Sequence, residues 1–202
     1  ALTLGTTDVG TSLTATATGP VALGTMKVDS NLNVSTSGAG AITSGGKVTV
    51  AGQATLAAGA ANDVTLDNAD NNFNALQISS GKTATLVDTN GIVLGATLSG
   101  DLDVTAGGDI GQNATLTVAG DTTFTANHAT AQINLSLGSS NPFDANGTYA
   151  NNFAGTVTLA RNNSNTGFTN VYLRNINASA SVLTGLTSVG TLSNVSLYFQ
   201  NA

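Results

Sequence analysis

The stretch LNVSTSGAGAITSGGKVTVAGQATL, residues 32–56, contains the pattern that decides the fold. Apolar residues stand two apart in short runs, with Asn, Ser or Thr between them, and Gly-rich segments separate the runs. This alternation is the period of a β-strand with one buried and one solvated face. Much of the pattern returns further along the chain, as Leu102-Asp103-Val104 and Leu116-Thr117-Val118-Ala119-Gly120. Self-similarity of this kind is typical of stacked repeats, in which each unit buries its apolar face against its neighbours.

Strand-sized runs recur at short, fairly even intervals, between corners such as Gly45-Gly46 and Gly107-Gly108. Gly adopts positive φ readily and therefore suits a tight corner. Most corners lack the matched flanking strands of an antiparallel hairpin array. We therefore predict an all-β fold, a parallel β-helix (β-solenoid) that residues 1–202 form as one continuous segment, with roughly 16–20 residues per coil. At about 18 residues per coil the chain would make roughly eleven coils, a rod on the order of 50 Å long.

The regular pattern loosens in two places. Residues 139–152, SSNPFDANGTYANN, are predicted to project from the rod as a loop, and residues 160–202 to form a less regular C-terminal part. Phe143 and Tyr149 on this loop are the candidate contact residues, because aromatic residues on loops often anchor partners. Packing of the two rings against the rod is the alternative interpretation.

The composition excludes several classes of function. The net charge of −6 and only five Lys and Arg residues argue against nucleic-acid binding, which requires clustered basic residues. No run of about 18 apolar residues occurs, so we expect no membrane insertion. The chain has no Cys and one His, which cannot supply the ligands of a zinc site.

Catalysis has little support in the sequence. A nucleophilic triad would have to be built around His128, the one histidine, whose neighbours in sequence include no acid. Asp101 and Asp103, near Asp109, share the solvated face of a strand and could form a glycosidase pair. The chain, however, has no Glu and few aromatic residues to hold a sugar. We predict that the protein is not an enzyme, and a carbohydrate-active β-helix protein is the alternative.

Two binding hypotheses remain open beside plain solvated strand faces. Asp63, Asp67 and Asp70 lie among several Asn residues and offer the hard oxygen ligands that Ca²⁺ prefers. Their spacing matches neither the twelve-residue calcium loop nor the calcium-binding nonapeptide, so no cofactor is predicted and Ca²⁺ is kept as an alternative. Thr14, Thr16 and Thr18 form a row that resembles an ice-binding face, which would have to continue on every coil.

Two segments resemble the repeats of filamentous-haemagglutinin-type adhesins. They are Gly100-Asp101-Leu102-Asp103-Val104-Thr105-Ala106-Gly107-Gly108-Asp109-Ile110 and Ala61-Asn62-Asp63-Val64-Thr65-Leu66-Asp67-Asn68, and the resemblance covers most of residues 30–125. It implies a right-handed parallel β-helical shaft of a very large secreted bacterial surface protein, exported in many cases by two-partner secretion. It transfers no catalytic residue.

These observations favour a stalk segment of a secreted adhesin on the bacterial cell surface, a rigid rod for adhesion or biofilm contact. The expected partners are a host or neighbouring cell surface, or its glycans. The sequence begins at Ala1 without Met and ends in the apolar run Leu197-Tyr198-Phe199. We therefore expect a processed or excised chain whose coil ends are covered by flanking repeats or by like copies. The alternative is a self-assembling extracellular filament subunit that stacks through its coil ends.

Overall fold

The computed structural model describes residues 1–38, 40–128, 130–136, 151–161, 168–177, 182–186 and 192–199. These residues contain no helix long and apolar enough to cross a membrane. They form 21 strands: β1 (Leu2–Leu4), β2 (Thr7–Val9), β3 (Leu13–Ala17), β4 (Val21–Leu23), β5 (Met26–Val28), β6 (Leu32–Thr36), β7 (Ile42–Ser44), β8 (Val48–Ala57), β9 (Val64–Leu66), β10 (Asn72–Gly81), β11 (Ala84–Asp88), β12 (Ile92–Leu98), β13 (Leu102–Ala106), β14 (Ile110–Val118), β15 (Thr122–Ala126), β16 (Gln132–Leu135), β17 (Asn152–Phe153), β18 (Val157–Arg161), β19 (Asn170–Asn175), β20 (Leu183–Thr184) and β21 (Asn194–Phe199).

The strands stack in parallel into two sheets. The first sheet has nine strands in the order β1-β4-β7-β9-β11-β13-β15-β18-β20. The second has twelve, with β2-β5-β8-β10-β12-β14-β16-β19-β21 as its main path and β3, β6 and β17 beside it. The long strand β8 pairs with both β5 and β6, so the second sheet turns a corner and the coil has three sides. The prediction of an all-β parallel β-helix is confirmed.

The coils are somewhat longer, and fewer, than the strand spacing in the sequence suggested. Along the first sheet, Ala84 lies opposite Leu102, whereas Ile42 lies opposite Val64, a longer step along the chain. The step from Thr122 to its partner Val157 is longer still, because it encloses the predicted loop. The nine strands of this sheet define eight steps rather than eleven. The estimate of eleven was wrong because corner segments lengthen several of the coils.

The self-similarity of the sequence does not correspond to a whole number of coils. Leu32 lies in β6, in the second sheet, whereas Leu102 lies in β13, in the first sheet. All three sides of a coil use the same local pattern, an apolar-polar-apolar run followed by a corner. One side can therefore match another side in sequence although the two occupy different positions in the coil.

A single apolar core runs along the interior. Alternate residues of the strands point inward, as in β9, where Val64 and Leu66 are buried and Thr65 is half-buried. The buried residues from Val21 to Leu173 form one continuous cluster. Each fully buried Val, Leu, Ile or Phe side chain contributes roughly 1.5–3 kcal/mol. This burial holds successive coils together and fixes their register.

Buried polar side chains link some of the corners to the preceding coil. Asn71 is fully buried; its Oδ1 accepts a hydrogen bond from the Val48 backbone N–H at 2.8 Å, and its Nδ2 donates to the Leu66 carbonyl at 3.1 Å. Asn151 in a later coil accepts from the Leu116 backbone N–H at 3.0 Å in the same way. These contacts satisfy backbone groups that the corners leave without ladder partners.

Candidate functional site

An open groove crosses the outer face of the second sheet over five successive strands, from β8 to β16. Its volume is about 670 Å³, and we call it the central groove. Its lining consists of Thr49, Val50, Ala51, Asn72, Phe73, Asn74, Asn90, Gly91, Ile92, Val93, Asp109, Ile110, Gly111, Gln132 and Asn134. A second hollow of about 430 Å³, the corner groove, shares Asn90, Gly91, Asp109 and Gln132 with it and adds Gly107, Gly108, His128 and Thr130. The two grooves form one depression that continues round an edge of the rod.

The depression follows from the strand register. Val93 lies opposite Gly111, and Gly111 lies opposite Asn134, in one outward-facing row. The middle residue of this row is Gly111, which has no side chain and therefore leaves a hollow between Val93 and Asn134. The register shifts between Phe73 and Ala75 in the neighbouring ladder, a bulge-like irregularity. Such irregularities bend the strand locally and often occur beside binding sites.

The rim of the central groove carries side-chain amides. Those of Asn72, Asn74, Asn90 and Gln132 form no hydrogen bond to any residue in the described part of the chain. The Asp109 carboxylate accepts a hydrogen bond from the Gln132 backbone N–H at 2.8 Å. Each amide offers both donors and an acceptor to a ligand. Neither groove is lined by Lys or Arg, so the charged group common to both is the Asp109 carboxylate.

The predicted contact residues Phe143 and Tyr149 lie outside the described residues. So do residues 139–150 of the predicted loop. Of the rest of that loop, Asn151 is buried at a corner and Asn152 begins β17. The candidate contact role of the two aromatic residues stays a prediction.

His128 is exposed, and its Nδ1 accepts a hydrogen bond from the Thr130 backbone N–H at 3.3 Å. The sequence offered no acidic neighbour for it, but stacking brings Asp109 into the same corner groove. The two residues come from adjacent coils. Sequence spacing gave no sign of this proximity, because it depends on coil length.

Asp101 and Asp103, the acids considered for the alternative glycosidase hypothesis, lie in different surroundings. Asp101 Oδ1 accepts a hydrogen bond from the Asp121 backbone N–H at 2.9 Å, so its carboxylate caps the next coil. Asp121 repeats this contact with the Thr156 backbone N–H at 2.7 Å. Asp103 is exposed on the first sheet, and neither Asp101 nor Asp103 lines the central or the corner groove.

The acidic residues considered for Ca²⁺ lie on both sides of β9, with Asp63 before the strand and Asp67 and Asp70 after it. Asp63 Oδ1 accepts a hydrogen bond from the Thr83 backbone N–H at 3.3 Å, and the Asp70 backbone N–H donates to Asn68 Oδ1 at 3.0 Å. Within the described residues, no three acidic or histidine side chains are grouped so as to hold a metal ion. Calcium binding at Asp63, Asp67 and Asp70 therefore stays an alternative hypothesis.

The threonine row Thr14, Thr16 and Thr18 does not continue through the stack. Thr14 lies opposite Asn33, and the row goes on through Thr55 to Gln77. A different row, on the outer face of the first sheet, is rich in threonine: Thr3, Ala22, Thr43, Thr65, Thr85, Asp103, Thr123, Thr158 and Thr184 lie in register. Stacked Thr side chains stabilise a sheet through cross-strand contacts. Sequence analysis missed this row because each member comes from a different coil and the steps between them are unequal.

Asp88 is a buried acid that accepts backbone hydrogen bonds, as Asn71 does one coil earlier. Its two carboxylate oxygens accept hydrogen bonds from the backbone N–H groups of Phe73, at 2.7 Å, and Asn90, at 2.8 Å. Burial raises the pKa of the Asp88 carboxyl above its ordinary value of 3.8, and the two hydrogen bonds offset only part of this effect. Burial of the charged Asp88 carboxylate therefore has a desolvation cost that a neutral amide would not have.

A family model described as repeats of unknown function (DUF5649) matches residues 11–79 and 81–160. The chain belongs to this repeat family. The two DUF5649 segments start at positions 11 and 81, the same offset as that between the similar stretches that start at Leu32 and Leu102. Comparison with curated proteins and with solved structures gave no match. The resemblance to filamentous-haemagglutinin-type repeats therefore rests on the sequence motifs alone.

Proposed function

We propose that this chain is a rigid, non-catalytic shaft segment of a secreted adhesin on a bacterial cell surface. The observation that carries the proposal is the unbroken stack: nine strands of the first sheet follow one another in parallel with a single core behind them. A fold of this kind extends in one direction and separates whatever lies at its two ends.

The geometry suits a spacer. The backbone hydrogen bonds of parallel strands connect one coil to the next, so they lie roughly along the rod. Eight steps of about 4.8 Å give a length of about 38 Å. Side chains such as Asn71, Asp101 and Asp121 add hydrogen bonds between coils at the corners. Bending the rod or cleaving it with a protease would require several of these contacts to break together.

The test is made on the producing cell. Antibodies against this chain should label intact cells, and in-frame deletion of the segment should shorten the surface fibre by about 38 Å in electron micrographs. Absence of surface labelling, or a fibre whose length does not change on deletion, would contradict the proposal.

A second candidate is a filament subunit that stacks through its ends. The inward residues Leu2 and Leu4 of the first coil are only partly buried, whereas their register partners Val21 and Leu23 are almost fully buried. Another coil placed on this side would bury them, and it would pair the free edge of β1. In the filament model, a second copy of the chain supplies that coil.

Substitution at this edge distinguishes the two models. In the filament model, Leu4→Asp should abolish concentration-dependent assembly in analytical ultracentrifugation, because a charge would be buried in the contact. Thr3→Asp is the matched control, since Thr3 is exposed on the same strand and points outward. A wild-type chain that stays monomeric at high concentration removes the filament model and leaves the shaft model intact.

A further inference from the structure

We infer that the central groove binds a neutral, hydroxyl-rich oligosaccharide. The inference starts from Gly111, which lies inside β14 where glycine weakens a strand. A Cβ atom at this position would meet nothing within 4 Å, and its φ is not in the left-handed region. Neither backbone conformation nor packing therefore requires glycine here. A strand glycine without such a reason is often a place where a ligand approaches the backbone closely.

The other glycines on this surface behave differently. At Gly91, a Cβ atom would lie 2.9 Å from the Asp109 carbonyl oxygen, and at Gly108 it would lie 2.8 Å from the Gly91 nitrogen. These glycines are required by the tight stacking of corners. Gly111 is therefore the one among these three whose missing side chain serves to keep the groove open.

The lining selects the class of ligand. Asn72, Asn74, Asn90 and Gln132 present amides with no partner among the described residues, and amides can both donate to and accept from sugar hydroxyls. Val93, at the centre of the groove, provides an apolar surface for the C–H face of a sugar ring. This combination of an apolar base with a few convergent polar groups is that of a small-ligand site, and a volume of about 670 Å³ lies within the usual range.

Charge and topology argue against two other ligand classes. An anionic glycan would meet the Asp109 carboxylate in a groove lined by no Lys or Arg. An extended peptide commonly binds by adding a strand to a sheet edge. The groove lies on the face of the second sheet, between strands whose backbone groups already pair with each other. A neutral oligosaccharide lying across several coils fits both constraints.

The site is also distinct from the proposed shaft function. A rod can carry the groove whether or not it serves as a spacer, and a spacer needs no groove. Failure of one proposal therefore leaves the other standing. The binding experiment uses the purified chain in solution and no cell.

The experiment measures binding of neutral hexasaccharides of glucose, mannose, xylose and N-acetylglucosamine, each by isothermal titration calorimetry. We expect at least one to bind the wild-type chain, and Gly111→Tyr to weaken that binding by about tenfold or more because its ring occupies the groove. Gly10→Tyr is the matched control: a Cβ atom there also meets nothing within 4 Å, and Gly10 lies outside the groove. Melting temperatures establish that both variants fold.

A second variant tests the amides without filling the groove. Asn74→Ala should weaken binding about twofold to tenfold, the effect of losing one hydrogen bond to the ligand. Asn33→Ala, at an exposed position on β6 outside the groove, should bind as the wild type does. The inference is overturned if none of the four oligosaccharides binds, if Gly111→Tyr binds as tightly as Gly10→Tyr, or if Asn74→Ala has no effect.

Discussion

Replacing Phe124 with Ala should lower the free energy of unfolding by about 3–5 kcal/mol, the usual cost for a buried Phe. Phe124 in β15 has no exposed surface, and its ring centroid lies 6.3 Å from that of Phe153 in β17, at an interplanar angle of 84°. The two strands belong to different sheets, so this edge-to-face pair connects the sheets across the interior. The pair itself accounts for about 0.5–1.5 kcal/mol of the total.

Two measurements check the magnitude and its location. Urea denaturation of the wild type, both single variants and the Phe124→Ala/Phe153→Ala double variant gives the coupling energy directly. Hydrogen exchange by mass spectrometry then locates the damage, which should be greatest in β13, β15 and β18 and small in β4, because each coil contacts only its neighbours. Thr123→Ala, on the outer face of β15, should cost no more than about 0.5 kcal/mol. A Phe124→Ala cost similar to that of Thr123→Ala, or equal loss of protection in β4 and β15, would refute this account of the core.

Three further predictions concern polar side chains. Because the folded state raises the pKa of Asp88, wild-type stability should fall as the pH rises from 3.8 through the folded-state pKa. Asp88→Asn should remove this pH dependence, but its amide oxygen can accept from only one of the two backbone N–H groups of Phe73 and Asn90, so the variant should be the less stable one at acid pH and the difference should narrow toward pH 7; an equal difference in urea midpoint at both pH values would contradict this. Asn71→Leu should destabilise the chain by about 1–3 kcal/mol in the same assay, because the buried Val48 backbone N–H loses its acceptor; a neutral effect would contradict the capping role. We expect the same melting temperature in Ca²⁺ and in EDTA, since Asp63 and Asp70 lie at opposite ends of β9 and the described residues contain no group of three acidic or histidine side chains placed to hold a metal ion; a higher value in Ca²⁺ that Asp67→Ala removes would support the calcium hypothesis instead.

The sequence predicts which residues of a strand point inward better than it predicts which side of the coil that strand forms. Alternation correctly marked Val48 and Val50 as inward and Thr49 as outward, because the period of a strand is a local property. Coil register is not local: it depends on how many residues each corner uses. Leu32 and Leu102 stand in the same local alternation of apolar and polar residues, but they lie in different sheets.

The same limit explains which parts of the surface could be foreseen. The acids that cap corners are visible in the sequence as Asp residues beside Gly, but their partners lie one coil away, as Thr156 does for Asp121. The central groove depends on the stacking of Gly111 on Asn134, which lies a whole coil further along the chain. A search for clustered residues in the sequence cannot find a site whose members come from five successive strands.

The central claim is that the described coils form one rigid rod, and a distance along that rod tests it most directly. Cysteines introduced at Thr3 and Thr123 can be spin-labelled specifically, because the chain has no Cys of its own. The two positions lie in one row of the first sheet, six steps apart. Pulsed electron paramagnetic resonance should give a narrow distribution that corresponds to a Cα separation of about 29 Å. A broad distribution, or a separation of about half that value, would contradict the rod.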